Sequence, residues 1–136
     1  MNYFDRPKIE LHCHLDGSIS LKTILELLKE EGRMMTEAEV KTQIQAPDDC
    51  SSLAEYLEKF DLPVSLLQTT RGLETAAYDL ARSAAGENVK YIEVRFAPVF
   101  SMTKGLKIPQ IIEAVQKGLQ RAQEDFGIYS GIIVCA

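Results

Sequence analysis

Three strand-type segments separated by helical stretches constrain this chain more than any other feature. Residues 8–15 alternate apolar Ile9, Leu11, Cys13 and Leu15 with polar Lys8, Glu10, His12 and His14, the two-residue period of a strand. Val89–Phe96 and residues 128–136 read as the second and third strands. Between them the period changes to that of helices. Ser20 caps a helix to about residue 31, with Leu21, Ile24, Leu25 and Leu28 on one face and Gly32 as its stop. Thr36 and Glu39 fit a capping box that opens a short helix to about residue 44. Leu53, Tyr56, Leu57 and Phe60 recur at helical spacing, and Pro63 is expected to interrupt them before an apolar turn at 64–67. A longer helix is expected over 72–88, with Leu73, Ala76, Ala77, Leu80, Ala81 and Ala84 facing inward. Another runs from Pro109 to about residue 126 and stops at Gly127. Strand, helices, strand, helix, strand demands parallel strands joined by helical crossovers. The expectation is one α/β domain over residues 1–136, with the strands adjacent in chain order. An α/β barrel cut after its third strand has this pattern, a full barrel needing ~250 residues. The final Gly-Ile-Ile-Val-Cys-Ala run has no turn or polar tail, so the chain is expected to belong to something longer.

Composition narrows the class. With 46% apolar and 26% charged residues in 136, the chain is that of a globular protein. A net charge of -5 speaks against nucleic acid as a partner, because that binding rests on a basic face. No apolar run approaches the ~20 residues that span a bilayer, and the first residues lack the plan of a signal peptide. No membrane partner is expected, and the location is expected to be cytoplasmic. Cys13, Cys50 and Cys135 are odd in number and lack CxxC spacing, as reduced thiols do.

The chemistry concentrates at His12 and His14, the chain's two histidines. Residues i and i+2 of a strand share a face, so both imidazoles point into one volume. They lie at the strand's C-terminal end, where α/β barrels keep their sites. Imidazole nitrogen binds zinc at ~2.0–2.1 Å, although paired histidines on a strand are also ordinary surface residues. Asp16 follows in the turn. Cys13 points to the opposite face and reads as a small buried hydrophobe. Glu93 and Arg95 share a face of the second strand and are expected to pair inside the barrel. The charges at 29–31 and 37–39 read as solvated helix faces.

The segment Lys-Ile-Glu-Leu-His-Cys-His-Leu-Asp-Gly-Ser at residues 8–18 resembles the opening motif of the adenosine deaminase family, in the metal-dependent amidohydrolase superfamily. Residues 52–61 resemble the segment that lines the apolar side of the family's nucleoside pocket. Residues 91–98 resemble its second barrel strand. Lys104-Gly105-Leu106, with Ile112 to Val115 beyond it, resembles bacterial members. The resemblance implies a (β/α)8 TIM barrel, with Zn2+ as cofactor and His12 and His14 as two of its ligands. It implies that His14 and Asp16 approach a purine nucleoside, Asp16 at the ribose 5′-hydroxyl. Related adenine deaminases carry Glu there, so Asp favours the nucleoside. Tyr56 and Phe60 are candidates to gate the purine, with plain helix packing an equal alternative. The implied reaction is adenosine plus water to inosine plus ammonia.

The family's third histidine ligand and zinc aspartate lie in later strands. So do its glutamate acid/base and the histidine that steers the water. No third histidine exists here. The chain is therefore expected to be the N-terminal portion of such an enzyme, with no complete catalytic set. It should be inactive alone, hold zinc incompletely and self-associate. Two other readings stand beside this one. The first is a family member acting on adenine or a modified adenosine. The second is a non-catalytic α/β interaction module. The HxE…PCxxC set of cytidine deaminases is absent.

Overall fold

A computed structural model describes residues 2–136. After a short 3-10 turn, Tyr3–Asp5, the elements are β1 (Lys8–His14), α1 (Leu21–Glu30), α2 (Glu37–Ile44), α3 (Leu53–Glu58) and α4 (Asp61–Leu66). They continue with α5 (Thr70–Gly86), β2 (Val89–Phe96), α6 (Ile108–Phe126) and β3 (Tyr129–Val134). The three strands are parallel and lie in the order β1-β2-β3, as the crossover pattern requires.

The helices begin where side chains can satisfy their first N–H groups. Ser20 accepts from the Thr23 N–H, Ser52 from Glu55 and Thr69 from Gly72. Thr36 and Glu39 form the expected reciprocal box. Gly127 ends α6 in the left-handed region at φ 69, where a side chain would be strained.

One face of the sheet is packed. Ile92, Val94 and Phe96 of β2 bury against α5 and α6, whose apolar stripes include Leu73, Ala77, Leu80, Ile111, Val115 and Leu119. α5 and α6 approach closely at Gly118, where a Cβ would lie 2.2 Å from the Glu74 carbonyl oxygen. The other face is bare. Tyr91, Glu93 and Arg95 stand on it, beside Ile9 and His14 of β1 and Tyr129 and Ile133 of β3.

The structure corrects several expectations. Ile9 and Leu11 do not join the core and are 68% and 58% exposed. Two register shifts accompany this, one between Lys8 and Ile9 and one between Glu10 and Cys13, the second placing three steps of β1 opposite two of β2. The Glu10 carboxylate accepts the His12 N–H at 2.8 Å there, in place of a ladder partner. Beyond the bulge Cys13 and Leu15 turn toward the core while Ile9 and His14 share the bare face. Pro63 does not interrupt a helix; it sits in the first turn of α4, where its missing N–H costs nothing. The break falls at Lys59 and Phe60 instead. α5 starts two residues earlier than expected, because Thr69 caps it by accepting from the Gly72 N–H, and Ala84 is only half-buried. In α1 Leu27 is buried, while Leu21 and Leu25 are partly covered.

Candidate active site

His12 and His14 leave β1 on the same face, at its C-terminal end. Their ring centroids lie 5.2 Å apart and their Nε2 atoms 3.2 Å apart. Two nitrogens bound to one tetrahedral zinc at ~2.0–2.1 Å would be separated by about 3.3 Å. The pair thus has the spacing of two ligands aimed at one ion. No third His, Cys, Asp or Glu completes such a cluster among the described residues.

The turn after β1 is closed by the Ser18 N–H donating to Leu15 O at 3.3 Å. It carries Asp16 beside the imidazoles. Asp16 Oδ1 lies 4.0 Å from His14 Nδ1, beyond hydrogen-bond reach, and is buried with no partner. A buried carboxylate oxygen is costly to leave unpaired, so this one has capacity for a donor from a ligand.

These groups floor a cavity of about 790 Å³, within the range of small-molecule sites. Tyr56, Leu57 and Phe60 form one wall, Val64 another, and Phe100 from the loop after β2 closes a side. Tyr56 and Phe60 meet edge to face at 5.6 Å. They remain available to the cavity, since Leu53, Tyr56 and Leu57 are all exposed rather than packed in the core. Every site residue expected from sequence, His12, His14, Asp16, Tyr56 and Phe60, lines this one cavity. Cys13 also borders it, with Sγ 3.3 Å from Ser18 Oγ.

Two sets of contacts around the cavity were not legible beforehand. Buried Gln68 donates to Val64 O at 2.9 Å and Phe100 O at 2.7 Å, and its Oε1 accepts from the N–H and hydroxyl of Thr103. It fastens the Phe100 loop to α4, yet glutamine carries no pattern that announces burial. Arg95 does not pair with Glu93. Its Nη1 donates to His12 Nε2 at 2.9 Å, and its Nε and Nη2 approach Cys135 Sγ at 3.2 and 3.0 Å. Glu93 instead accepts from the Tyr91 hydroxyl at 3.0 Å, which pushes the phenol's pKa up. The Arg95 side chain follows the register that sets it next to His14, while Glu93 on its own strand is engaged by Tyr91.

The adenosine deaminase family model matches residues 7–136. The chain belongs to the adenosine deaminase family. An adenosine deaminase of Streptococcus thermophilus is 55% identical over 137 residues, covering 99% of this chain and 41% of the relative. An amidohydrolase from Burkholderia ambifaria, solved with bound Zn, matches at TM-score 0.80 and 24% identity, over 97% of this chain and 36% of that one, and bears on the fold. An N6-methyl-AMP deaminase from Arabidopsis thaliana, solved in its apo form, matches at TM-score 0.74 and 33% identity, over 97% of this chain and 40% of its own. The chain therefore spans about two fifths of the relatives it matches. Its three parallel strands and their helices share the α/β barrel fold of these solved structures. Among the described residues no helix is long and apolar enough to cross a membrane.

Proposed function

We propose that this chain supplies the first part of a zinc-dependent adenosine deaminase, converting adenosine and water to inosine and ammonia in the cytoplasm. The observation that carries the reading is the convergence of the two Nε2 atoms, 3.2 Å apart, in a cavity that also holds the unpartnered Asp16 oxygen. His12 and His14 would hold the zinc, with further ligands contributed outside this chain. Bound there, zinc supplies a water acidified enough to act as nucleophile near neutral pH, which imidazoles alone do not.

The chain's own residues account for recognition. Asp16 Oδ1 would accept a hydrogen bond from the ribose 5′-hydroxyl, and so favours a nucleoside over a free base. A phosphate at the same position would meet like charge. Tyr56 and Phe60 would flank the purine with apolar surface, and Phe100 would help exclude water from it. A family member acting on a modified adenosine is the second reading, favoured by the 33% identity to the N6-methyl-AMP deaminase.

The test uses a protein of the relatives' length carrying this segment. His12→Ala and His14→Ala should each lower bound zinc and abolish adenosine turnover, followed by ultraviolet absorbance and metal analysis. Full zinc content in both variants would sink the ligand assignment. Turnover of N6-methyl-AMP in preference to adenosine would move the substrate to the second reading.

A further inference from the structure

His12 Nε2 has two neighbours in the structure, His14 Nε2 at 3.2 Å and Arg95 Nη1 at 2.9 Å, and zinc would be a third claimant for its lone pair. On the reading above it belongs to zinc. In the structure it accepts a hydrogen bond from Arg95 Nη1 at 2.9 Å. A guanidinium only donates, so this bond requires the His12 proton on Nδ1 and the free pair on Nε2. That is the tautomer a metal needs at Nε2.

Arg95 is braced in this position. Its Nε and Nη2 donate to Cys135 Sγ at 3.2 and 3.0 Å. Cys135 is in turn tied to β2 by its N–H donating to Phe96 O at 2.9 Å. The pairing of His14 with Arg95 in the β1–β2 ladder keeps the guanidinium beside both imidazoles. Glu93, the other charged group on this face of β2, is engaged with Tyr91 and leaves Arg95 to His12.

We propose that Arg95 is a positioning residue that competes with the metal for His12, holding the ring in its ligating tautomer and yielding Nε2 when zinc enters. One lone pair cannot serve a guanidinium and a metal ion at once, and two cations at that distance repel. Binding of zinc must therefore displace the Arg95 Nη1 contact, and the two events are coupled. The proposal rests on His12 and His14 being zinc ligands.

Zinc affinity of a protein of the relatives' length carrying this segment, and of its Arg95→Met and Arg95→Lys variants, is measured by competition with a chromophoric chelator. Removing a hydrogen bond from a charged donor together with its repulsion should tighten zinc binding by about tenfold in Arg95→Met. Arg95→Lys, which keeps the charge without the fork, should fall between. A zinc titration of the unsubstituted protein of the relatives' length, followed by nitrogen-15 NMR of the arginine and histidine side chains, needs no substitution. There the Arg95 Nη signals should shift as zinc saturates His12. Equal or weaker zinc binding in both variants overturns the competition while leaving the ligand reading intact. So do Arg95 signals that stay in place while His12 takes the metal. Zinc binding to none of the three proteins refutes the ligand reading and this proposal with it.

Discussion

At the residue scale the decisive atom is Asp16 Oδ1. It is buried, it has no partner, and it borders the cavity that holds both imidazoles. A site built around such an oxygen penalises a ligand that brings no donor to it, because the oxygen then stays desolvated and unpaired. In a protein of the relatives' length, Asp16→Ala should lower kcat/KM for adenosine about 10²-fold while leaving zinc content unchanged. The same substitution should barely affect 5′-deoxyadenosine, which lacks the hydroxyl. Steady-state kinetics on the two nucleosides checks this, and equal losses on both would remove the 5′-hydroxyl contact. His12 and His14 were legible because they are the chain's two histidines at strand spacing, and Asp16 because the motif around it resembles the opening motif of the family. Arg95 and Gln68 were not, because their partners are far away in sequence: His12 is 83 residues from Arg95, and Phe100 is 32 from Gln68.

Among elements, the contact of α5 with α6 fixes the layer on which β2 is laid. Alanine ordinarily stabilises a helix interior relative to glycine by up to ~1 kcal/mol. At Gly118 the sign reverses, since the new methyl would stand 2.2 Å from the Glu74 carbonyl oxygen and 3.0 Å from Ala77 Cβ. Neither backbone can yield without separating the helices, so Gly118→Ala should destabilise by about 2–3 kcal/mol in urea unfolding. Stability equal to the parent would show that the helices part without penalty.

The same contact carries a pH signature. The hydrogen bond from Arg121, with Lys117 adding its charge, holds the Glu74 carboxyl below its ordinary 4.5. A carboxyl depressed by folding contributes stability above its unfolded pKa and loses that contribution as pH falls through the lower folded value. The parent should therefore exceed Glu74→Gln by about 0.5–1 kcal/mol at neutral pH. The gap should close below pH 4.5, the ordinary value of the group. Denaturant midpoints across that range test it, and a gap that widens toward acid would contradict the pairing.

For the whole molecule, the bare face of the sheet is the governing fact. It carries the imidazoles and Arg95 among Ile9, Tyr129 and Ile133. Ile9 at 68% and Tyr129 at 62% exposure leave apolar area that water does not favour. Among the described residues β3 also pairs on one side only, which offers a free ladder of backbone groups. The chain is expected to self-associate, with sedimentation showing a species above the monomer mass at tens of micromolar. A monomer throughout would remove that expectation. The chain by itself is also expected to leave adenosine unchanged even with added zinc, since two imidazoles bind the metal weakly and so activate little water. Inosine formation by the purified chain would place the catalytic groups within these residues.

The strand and helix periods, the caps at Ser20 and Thr36, and the stop at Gly127 are local properties. Sequence alone determined them, because each depends on residues within one or two turns. It also predicted that His12 and His14 share a face from the two-residue period of a strand, and the pair keeps that relation although the bulge begins just before it. Only the tertiary structure decided which face that is. The register shifts of β1 arise in its pairing with β2, and Ile9 and Leu11 lie away from the core that their alternation implied. Only packing decided that Tyr56 and Phe60 line a cavity, because a helical aromatic pair has the same spacing whether it faces protein or open space. Arg95 shows the limit most clearly. Its own strand offered it Glu93, and the juxtaposition of three strands gave it His12 and Cys135 instead.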